Sequence, residues 1–358
     1  MNRTSARRSL AALLALTALA AIVPATEAAT KPLHNVTVMT RNLYLGTDLI
    51  PIALAPNEAQ FEKAASEGYA QVKATNFPAR SKLIAREIKR TKPDLIGLQE
   101  TALWRTGPKD GTATRASTVE IDYLTILRRA LKRAGLRYSV VRVTNEADIE
   151  GPTRENYDVR LTMRDVILAK KRKGMKVVKR GGGNYATNLA IPTVAGTFTS
   201  RRGFAFADVA LNGKRFRFVD THLEAYGDQF RTAQAAQLIG PGGAAAKRGR
   251  GILVGDMNSD PAGAEPNAFN TLIAAGFVDT WARLHPGVPG LTSGLEADLM
   301  DPPTPDPFND SRIDHVLSKG KIRPLRSIIV GKNPTTSRTS TGLWASDHAG
   351  VVTKLKLK

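Results

Sequence analysis

Six short polar segments, spread over about three hundred residues, lie at or beside the ends of apolar or β-branched runs. In chain order they are Thr40-Arg41-Asn42-Leu43, Leu98-Gln99-Glu100-Thr101, Asp220-Thr221-His222-Leu223, Gly255-Asp256-Met257-Asn258, Arg312-Ile313-Asp314-His315 and Ser346-Asp347-His348. Side chains so far apart in sequence can meet only if the strands that carry them end at one edge of the fold. We expect eight polar side chains to converge there. They are Asn42, Glu100, His222, Asp256, Asn258, Asp314, Asp347 and His348.

The apolar periodicity predicts a chain of mixed helices and strands. Helices are expected over 79–92, 120–134, about 228–238 and 267–275. Strands are expected over 36–39, 95–98, 165–169, 252–254, 313–317, 327–330 and 350–357. Alternating phenylalanines around an Asn212-Gly213 turn predict a β-hairpin from Phe204 to Asp220. Hairpins mixed with helices indicate a partly antiparallel sheet, and polar segments that run through the whole chain indicate one domain.

Two segments have no clear periodicity, and we expect both to be loops. Residues 283–311 hold six prolines and five acidic residues. Residues 170–184 hold seven lysines or arginines and a run of three glycines. Loops of this kind often line the cleft of a protein.

The first 28 residues are expected to be a secretory signal, because three arginines precede an apolar run over 10–23 and a stretch of small residues. A retained membrane anchor is the alternative, although the run is short for a bilayer. Residues 29–358 would then be a single exported domain, periplasmic or extracellular. The chain has no cysteine, which excludes disulfides, thiolate zinc sites and cysteine nucleophiles.

Charge favours polyanionic partners, because 52 basic residues face 32 acidic ones and give a formal net charge of +20. Nucleic acid, anionic lipid surfaces and cell-wall polymers are the classes that fit. The alternative is that the protein is simply soluble and positive.

The polar segments contain the groups that hydrolysis of a phosphate ester requires. Glu100 and Asp347 are suited to Mg²⁺, which prefers carboxylates and water, and no histidine-rich cluster indicates zinc. His222 and His348 can transfer protons at neutral pH, and a carboxylate such as Asp314 would fix a histidine tautomer.

This set, in this order, resembles the endonuclease/exonuclease/phosphatase superfamily, which includes pancreatic-type deoxyribonucleases, abasic-site endonucleases, inositol polyphosphate 5-phosphatases and bacterial sphingomyelinases. Gly255-Asp256-Met257-Asn258 corresponds to its G-D-x-N motif and Ser346-Asp347-His348 to its S-D-H motif. The resemblance runs from Asn42 to His348. It implies a four-layer α/β/β/α sandwich of two mixed, largely antiparallel sheets flanked by helices, with the site at one edge of the sheets.

The resemblance also implies a role for each site residue. The expected metal ligands are Glu100, with Asn42 and Asp347 beside it. The expected catalytic residues are His222, Asp256, Asn258, Asp314 and His348. Asp256 would orient or deprotonate the attacking water, and Asn258 would hold the scissile phosphate. Asp314 would pair with His348, and His222 would lie across the phosphate as an acid/base or phosphate-binding group.

Mg²⁺ is the expected cofactor, with Mn²⁺ and Ca²⁺ as alternatives. The carboxylate that orients His222 stays open, with Asp165 and Glu224 as candidates. Nucleic acid is the first expected substrate. A sphingomyelinase or phospholipase C-type activity on anionic or choline lipid, a small-molecule phosphatase activity and an inactive nucleic-acid-binding protein are the alternatives. No stable protein partner is implied, and a monomer is expected.

Overall fold

Two β-sheets lie face to face and carry helices on their outer sides. The computed structural model describes residues 34–110 and 113–358, so the predicted secretory signal lies outside the described residues. In chain order the strands are β1 Asn35–Asn42, β2 Leu95–Gln99, β3 Leu103–Pro108, β4 Thr118–Asp122, β5 Tyr138–Pro152, β6 Tyr157–Lys170, β7 Met175–Asn184, β8 Leu189–Thr193, β9 Gly196–Ser200, β10 Gly203–Leu211, β11 Lys214–His222, β12 Gly251–Asp256, β13 Val278–Asp279, β14 Asp314–Lys319, β15 Ile322–Val330 and β16 Gly350–Leu357.

The helices are α1 Ile50–Ala53, α2 Glu58–Ala74, α3 Phe77–Thr91, α4 Tyr123–Arg133, α5 Asp228–Ile239, α6 Ala268–Ala274 and α7 Thr280–Leu284. Helices α2, α3 and α4 pack on the outer face of the first sheet, and α5 and α6 pack on that of the second. Among the described helices, none is long and apolar enough to span a membrane.

The first sheet has the strand order β15-β16-β1-β2-β6-β3-β4, with β5 paired to β6. The second has the order β13-β14-β12-β11-β10-β7, and β8 and β9 form a separate two-stranded ribbon. Most pairs are antiparallel, whereas β1–β2 and β11–β12 are parallel. The predicted four-layer α/β/β/α sandwich is therefore confirmed, and residues 34–358 form one compact unit.

The inner face changes from apolar to polar along β1 in the first sheet and along β12 in the second. In β1 the inward residues Val36 and Val38 belong to the core between the sheets, and Asn42 follows on the same face. In β12, Ile252 and Val254 are likewise followed by Asp256. Because side chains alternate with a period of two, the apolar residues bury one end of the sandwich and leave the polar ones together at the other.

The polar ends of the two sheets are tied together around Gly97 in β2. A Cβ at this position would lie 2.3 Å from Asp220 Oδ1 in the opposite sheet, so only glycine permits this approach. Two residues further along, Gln99 Nε2 donates to Asp220 Oδ1 at 2.5 Å. Thr40 Oγ1 donates to Gln99 Oε1 at 3.1 Å, which joins β1 to the same bridge.

The predicted hairpin is confirmed as β10 and β11, joined by Asn212 and Gly213 at φ +50° and +84°. Its two phenylalanine pairs lie on opposite faces. Phe204 and Phe206 pack towards α5 and α6, whereas Phe216 and Phe218 lie in the core between the sheets. Both sides of this hairpin are therefore buried, which fixes where β11 delivers His222.

The prediction of a loop over 170–184 is wrong. Residues Met175–Asn184 form the edge strand β7, paired with β10. The glycine run is part of this strand. A Cβ at Gly182 would lie 2.4 Å from Thr144 Oγ1, so a larger residue would not fit there. The basic turn before β7 follows Ala169, which pairs with Leu95 at the end of the sheet opposite the polar segments. It does not line the polar end.

The other predicted loop is largely confirmed, because residues 285–313 have no regular secondary structure and the short helix α7 precedes them. This loop does line the cleft at the polar end. Tyr44 Oη donates to the backbone oxygen of Ala297, and Leu295 and Ala297 both face the cavity described below.

Candidate active site

The eight predicted side chains lie at one end of the sandwich, on strand ends that face each other across the sheets. In the parallel pair β11–β12, His222 lies beside Asp256. In the antiparallel pair β12–β14, Asp256 lies beside Asp314. Six of the eight residues line one cavity of about 300 Å³: Glu100, His222, Asp256, Asn258, Asp347 and His348. Asn42 and Asp314 contact members of this set from beneath.

Asn42 joins the predicted metal ligand Glu100 to the predicted base Asp256. Its Nδ2 donates to Glu100 Oε1 at 3.2 Å and to Asp256 Oδ2 at 3.0 Å. Its amide oxygen accepts from the backbone nitrogen of Tyr44 at 2.8 Å. In this arrangement Asn42 positions two carboxylates, and direct coordination of a cation by Asn42 stays a prediction.

Glu100 lies in a strained turn directly after β2. Its φ of +52° is left-handed, a conformation that non-glycine residues adopt at a cost and that recurs at functional sites. The backbone nitrogen of Leu45 donates to Glu100 Oε2 at 2.7 Å and fixes the carboxylate. Burial and the nearby Asp347 carboxylate raise the pKa of Glu100.

Glu100 and Asp347 together fit a divalent cation. Both line the same cavity, and burial also raises the pKa of Asp347. Carboxylates offer the hard oxygen ligands that Mg²⁺ prefers, and a bound cation would offset the effect of Asp347 on the charged form of Glu100. Both residues lie in one cavity with ligand types suited to this cation, and their role as metal ligands stays a prediction.

Asp256 is the last residue of β12, and Asn258 follows it in a turn, with a φ of +47°. The backbone nitrogen of Asn258 donates to Asp256 Oδ1 at 2.9 Å, and its side-chain amide donates to Leu223 O at 2.9 Å. Burial raises the pKa of Asp256 to about 6. The turn thus presents both residues to the cavity, with Asp256 able to exchange a proton near neutral pH.

His348 is held as a cation by carboxylates. Its Nδ1 lies 2.8 Å from Asp314 Oδ2, and its Nε2 lies 3.7 Å from Asp256 Oδ2. Burial alone would lower the pKa of His348, but Asp314, Asp256 and Asp347 together hold this pKa well above its usual range. The predicted pairing of Asp314 with His348 is present.

His222 is held neutral on the other side of Asp256. Its Nε2 lies 3.5 Å from Asp256 Oδ2, and Arg202 Nη1 lies 3.0 Å from both of its ring nitrogens. Burial, followed by the charges of Arg202 and His348, lowers the pKa of His222 well below its usual range. The two histidines of the site therefore differ in protonation.

Glu146 is a second carboxylate beside His222, after Asp256, and was missed by the sequence analysis. Its Oε2 lies 4.0 Å from His222 Nδ1. Of the two candidates, Asp165 belongs to the same buried group as Glu146 and His222, whereas Glu224 pairs with Arg202 Nε at 3.6 Å. Burial raises the pKa of Glu146 to about 8. Glu146 lies inside β5, away from all six motifs, so no local pattern identifies it.

A buried arginine supports the loops around the site. Arg80 of α3 donates to the backbone oxygens of Leu43 and Ala345 at 2.8 and 2.9 Å, and to that of Tyr44 at 3.2 Å. These residues follow Asn42 and precede Asp347. Arg80 therefore fixes two of the segments that carry the predicted metal site.

Comparison with known proteins places the chain in a class of enzymes. Residues 60–348 match the sequence profile of the Endonuclease/Exonuclease/phosphatase family, and this chain belongs to that family. Members of this superfamily are phosphoester hydrolases that generally depend on a divalent metal.

Solved structures share the fold at low sequence identity. A family protein from Bacteroides thetaiotaomicron is 16% identical, with a TM-score of 0.55 over 92% of this chain and 100% of that one. A mannosyl-6-phosphatase from the same species is 18% identical, with a TM-score of 0.51 over 89% and 99%. A humanized D. rerio TDP2 is 15% identical, with a TM-score of 0.53 over 90% and 99%. A search of curated proteins finds no match.

Proposed function

We propose that this protein is a divalent-metal-dependent phosphodiesterase that cleaves its substrate by in-line attack of water. The observation that carries the proposal is the position of Asp256 between two histidines of opposite protonation, 3.5 Å from His222 Nε2 and 3.7 Å from His348 Nε2. A base with a positive group on one side and a neutral ring on the other is suited to activating water beside a phosphate.

Each residue has a defined part in this proposal. Asp256 accepts the proton of the attacking water, since its pKa of about 6 leaves it ionised and still basic near neutral pH. The His348 imidazolium, held by Asp314, stabilises charge on the phosphoryl oxygens. His222, oriented by Arg202, binds the phosphate on the opposite side, and Asn258 helps to hold it. Glu100 and Asp347 would hold the cation, which supplies Lewis-acid stabilisation when bound.

Mg²⁺ is our proposed cation, because the two carboxylates supply the hard oxygen ligands that it prefers. Mn²⁺ and Ca²⁺ stay alternatives. We also propose that the protein is exported, a proposal that rests on the N-terminal charge and hydropathy pattern alone.

Two substrate classes are candidates: nucleic-acid polymers and small phosphodiesters. The net charge of +20 supports nucleic acid. The basic turn that precedes β7 does not add to this support, because it lies at the opposite end from the site. Apolar side chains such as Leu49, Ile191 and Phe198 in the cavity wall favour a second candidate, a small phosphodiester with an apolar group. The fold accommodates both polymers and small phosphoesters, since its neighbours include D. rerio TDP2 with a single-strand DNA product and a mannosyl-6-phosphatase, whose substrate is a monoester.

The test is an assay of the purified protein with Mg²⁺ and with EDTA against duplex DNA, RNA, sphingomyelin and a chromogenic phosphodiester, repeated with His222→Ala. We expect turnover of at least one substrate with Mg²⁺, its loss in EDTA, and a rate at least about a hundredfold lower in the variant. DNA binding without hydrolysis of any substrate would establish the inactive binding protein instead.

A further inference from the structure

A second, apolar chamber of about 210 Å³ adjoins the catalytic cavity. The two share four lining residues, Leu49, Ala53, Leu161 and Phe198. The shared residues come from α1 and the residue before it, from β6, and from the ribbon strand β9. The two cavities are therefore neighbours that only these side chains separate.

The walls of the chamber are mostly hydrocarbon. Phe61, Ala65 and Tyr69 line it from α2, and Trp104 lines it from β3. All four are at least nine-tenths buried although they border open space. Such a surface gains free energy when an apolar group displaces the water beside it.

The carboxylates and the indole of the chamber each have at least one hydrogen-bond partner within the protein. Asp148 accepts from Arg160 Nε at 2.8 Å, and Glu150 accepts from the backbone nitrogen of Ala116 at 2.7 Å. Trp104 Nε1 donates to Leu45 O at 3.0 Å. A nucleobase would find few hydrogen-bond partners for its polar edge on these mostly apolar walls, which is costly, whereas a hydrocarbon needs none.

We infer that this chamber binds a hydrocarbon arm of the substrate, an aryl ring or a short alkyl chain esterified to the phosphate. The inference rests on the proposed function of the adjoining cavity. The volume is sufficient, since an engineered apolar cavity of roughly 150 Å³ holds benzene. The preferred substrate is then a phosphoester with an apolar group of about six carbons or more, and not a nucleotide.

The test uses methyl-, hexyl- and phenylphosphonate as inhibitors of p-nitrophenyl methyl phosphate hydrolysis in Mg²⁺, with thymidine 5′-monophosphate as the nucleobase probe. We expect the hexyl and phenyl compounds to inhibit at concentrations about tenfold or more below the methyl compound. Equal inhibition by the three phosphonates, or tighter inhibition by thymidine 5′-monophosphate than by the hexyl and phenyl compounds, would overturn the inference.

A matched pair of variants on α2 locates the effect. Ala65→Leu fills the chamber, and we expect it to remove the advantage of the hexyl and phenyl compounds while leaving inhibition by methylphosphonate unchanged. Ala70→Leu makes the same change on the exposed side of the helix and should keep the advantage. An Ala65→Leu protein that retains the full hexyl advantage would contradict the proposed location.

Tryptophan fluorescence separates this inference from the proposed function. Trp104 borders the chamber, so hexylphosphonate should change the emission and methylphosphonate should not. Absence of hydrolysis together with this spectral change would refute the phosphodiesterase and keep the chamber. Hydrolysis without the spectral change and without the inhibitor preference would refute the chamber alone.

Discussion

His348 Nδ1 lies 2.8 Å from Asp314 Oδ2, which joins a residue of the cavity wall to a carboxylate buried beneath it. This contact is the closest of the charge interactions that keep the His348 imidazole protonated. It makes the charge state of one residue depend on another that never faces the substrate pocket.

Asp314→Asn is expected to lower kcat/KM by about 10²- to 10⁴-fold. His348 then loses the carboxylate that orients its ring and that contributes most to stabilising its positive charge. Asp314 helps to raise the pKa of His348, so the alkaline limb of the pH–rate profile should also move to lower pH. Asp310→Asn, an exposed change on the preceding loop, is the control. A variant with low activity but an unmoved alkaline limb would show that the pair acts only structurally.

Glu146→Gln is expected to change how stability depends on pH. The pKa of Glu146 is raised to about 8, above its value in the unfolded chain, so the folded protein binds the extra proton between about pH 4.5 and 8. Its contribution to stability is complete below this window and is lost as pH rises through it. The variant should show a shallower decline, by up to about 1.4 kcal/mol per pH unit.

Urea denaturation in EDTA at pH 5, 6, 7 and 8 measures this effect. Glu67→Gln, on the exposed face of α2, should keep the slope of the unchanged protein. An identical slope in Glu146→Gln would mean that Glu146 is ionised in the folded protein.

Glu100→Gln is expected to raise the Mg²⁺ concentration for half-maximal activity by about tenfold or more, since the site loses one of its two carboxylates. Bound Mg²⁺ stabilises the folded state by mass action, so the rise in Tm on adding Mg²⁺ should shrink as well. Glu58→Gln, an exposed residue at the start of α2, serves as the control. If both the activation curve and the Tm shift are unaltered, the cation binds elsewhere.

Arg80→Lys is expected to lower the free energy of unfolding by roughly 2–4 kcal/mol, because lysine cannot supply the donors that reach three separate loops. The four carbonyl acceptors of Arg80 belong to Thr75, Leu43, Ala345 and Tyr44. Arg86→Lys, an exposed change on the same helix, should have little effect. Equal stabilities of the two variants in urea denaturation would contradict the supporting role of Arg80.

Much of the site could be predicted because each motif is a local pattern. A strand with alternating burial determines the face of the residue at its end, so Asn42 and Asp256 could be assigned to one cluster without knowing how the strands pair. The arrangement in four layers came from the family resemblance, since periodicity alone cannot order strands within a sheet.

The residues that could not be predicted depend on distant contacts. Glu146 is important because β5 passes His222, which lies 76 positions away in the sequence. Helix α2 was not expected because Ala65 and Gly68, two of its buried positions, carry little apolar signal. Strand β7 was predicted as a loop because a run of glycines is typical of loops. Here glycine is needed because β5 packs closely against it, a contact that the local sequence does not reveal.

Because Gly97 has no side chain, it allows the two sheets to approach closely beside the catalytic cavity. Any side chain at this position would push β2 away from Asp220 and widen the gap across which Gln99 reaches. Glu100 follows three positions later on the same strand end, while His222 stands two positions beyond Asp220. The distance between the strand that leads to Glu100 and the strand that leads to His222 is thus set by a residue that performs no chemistry.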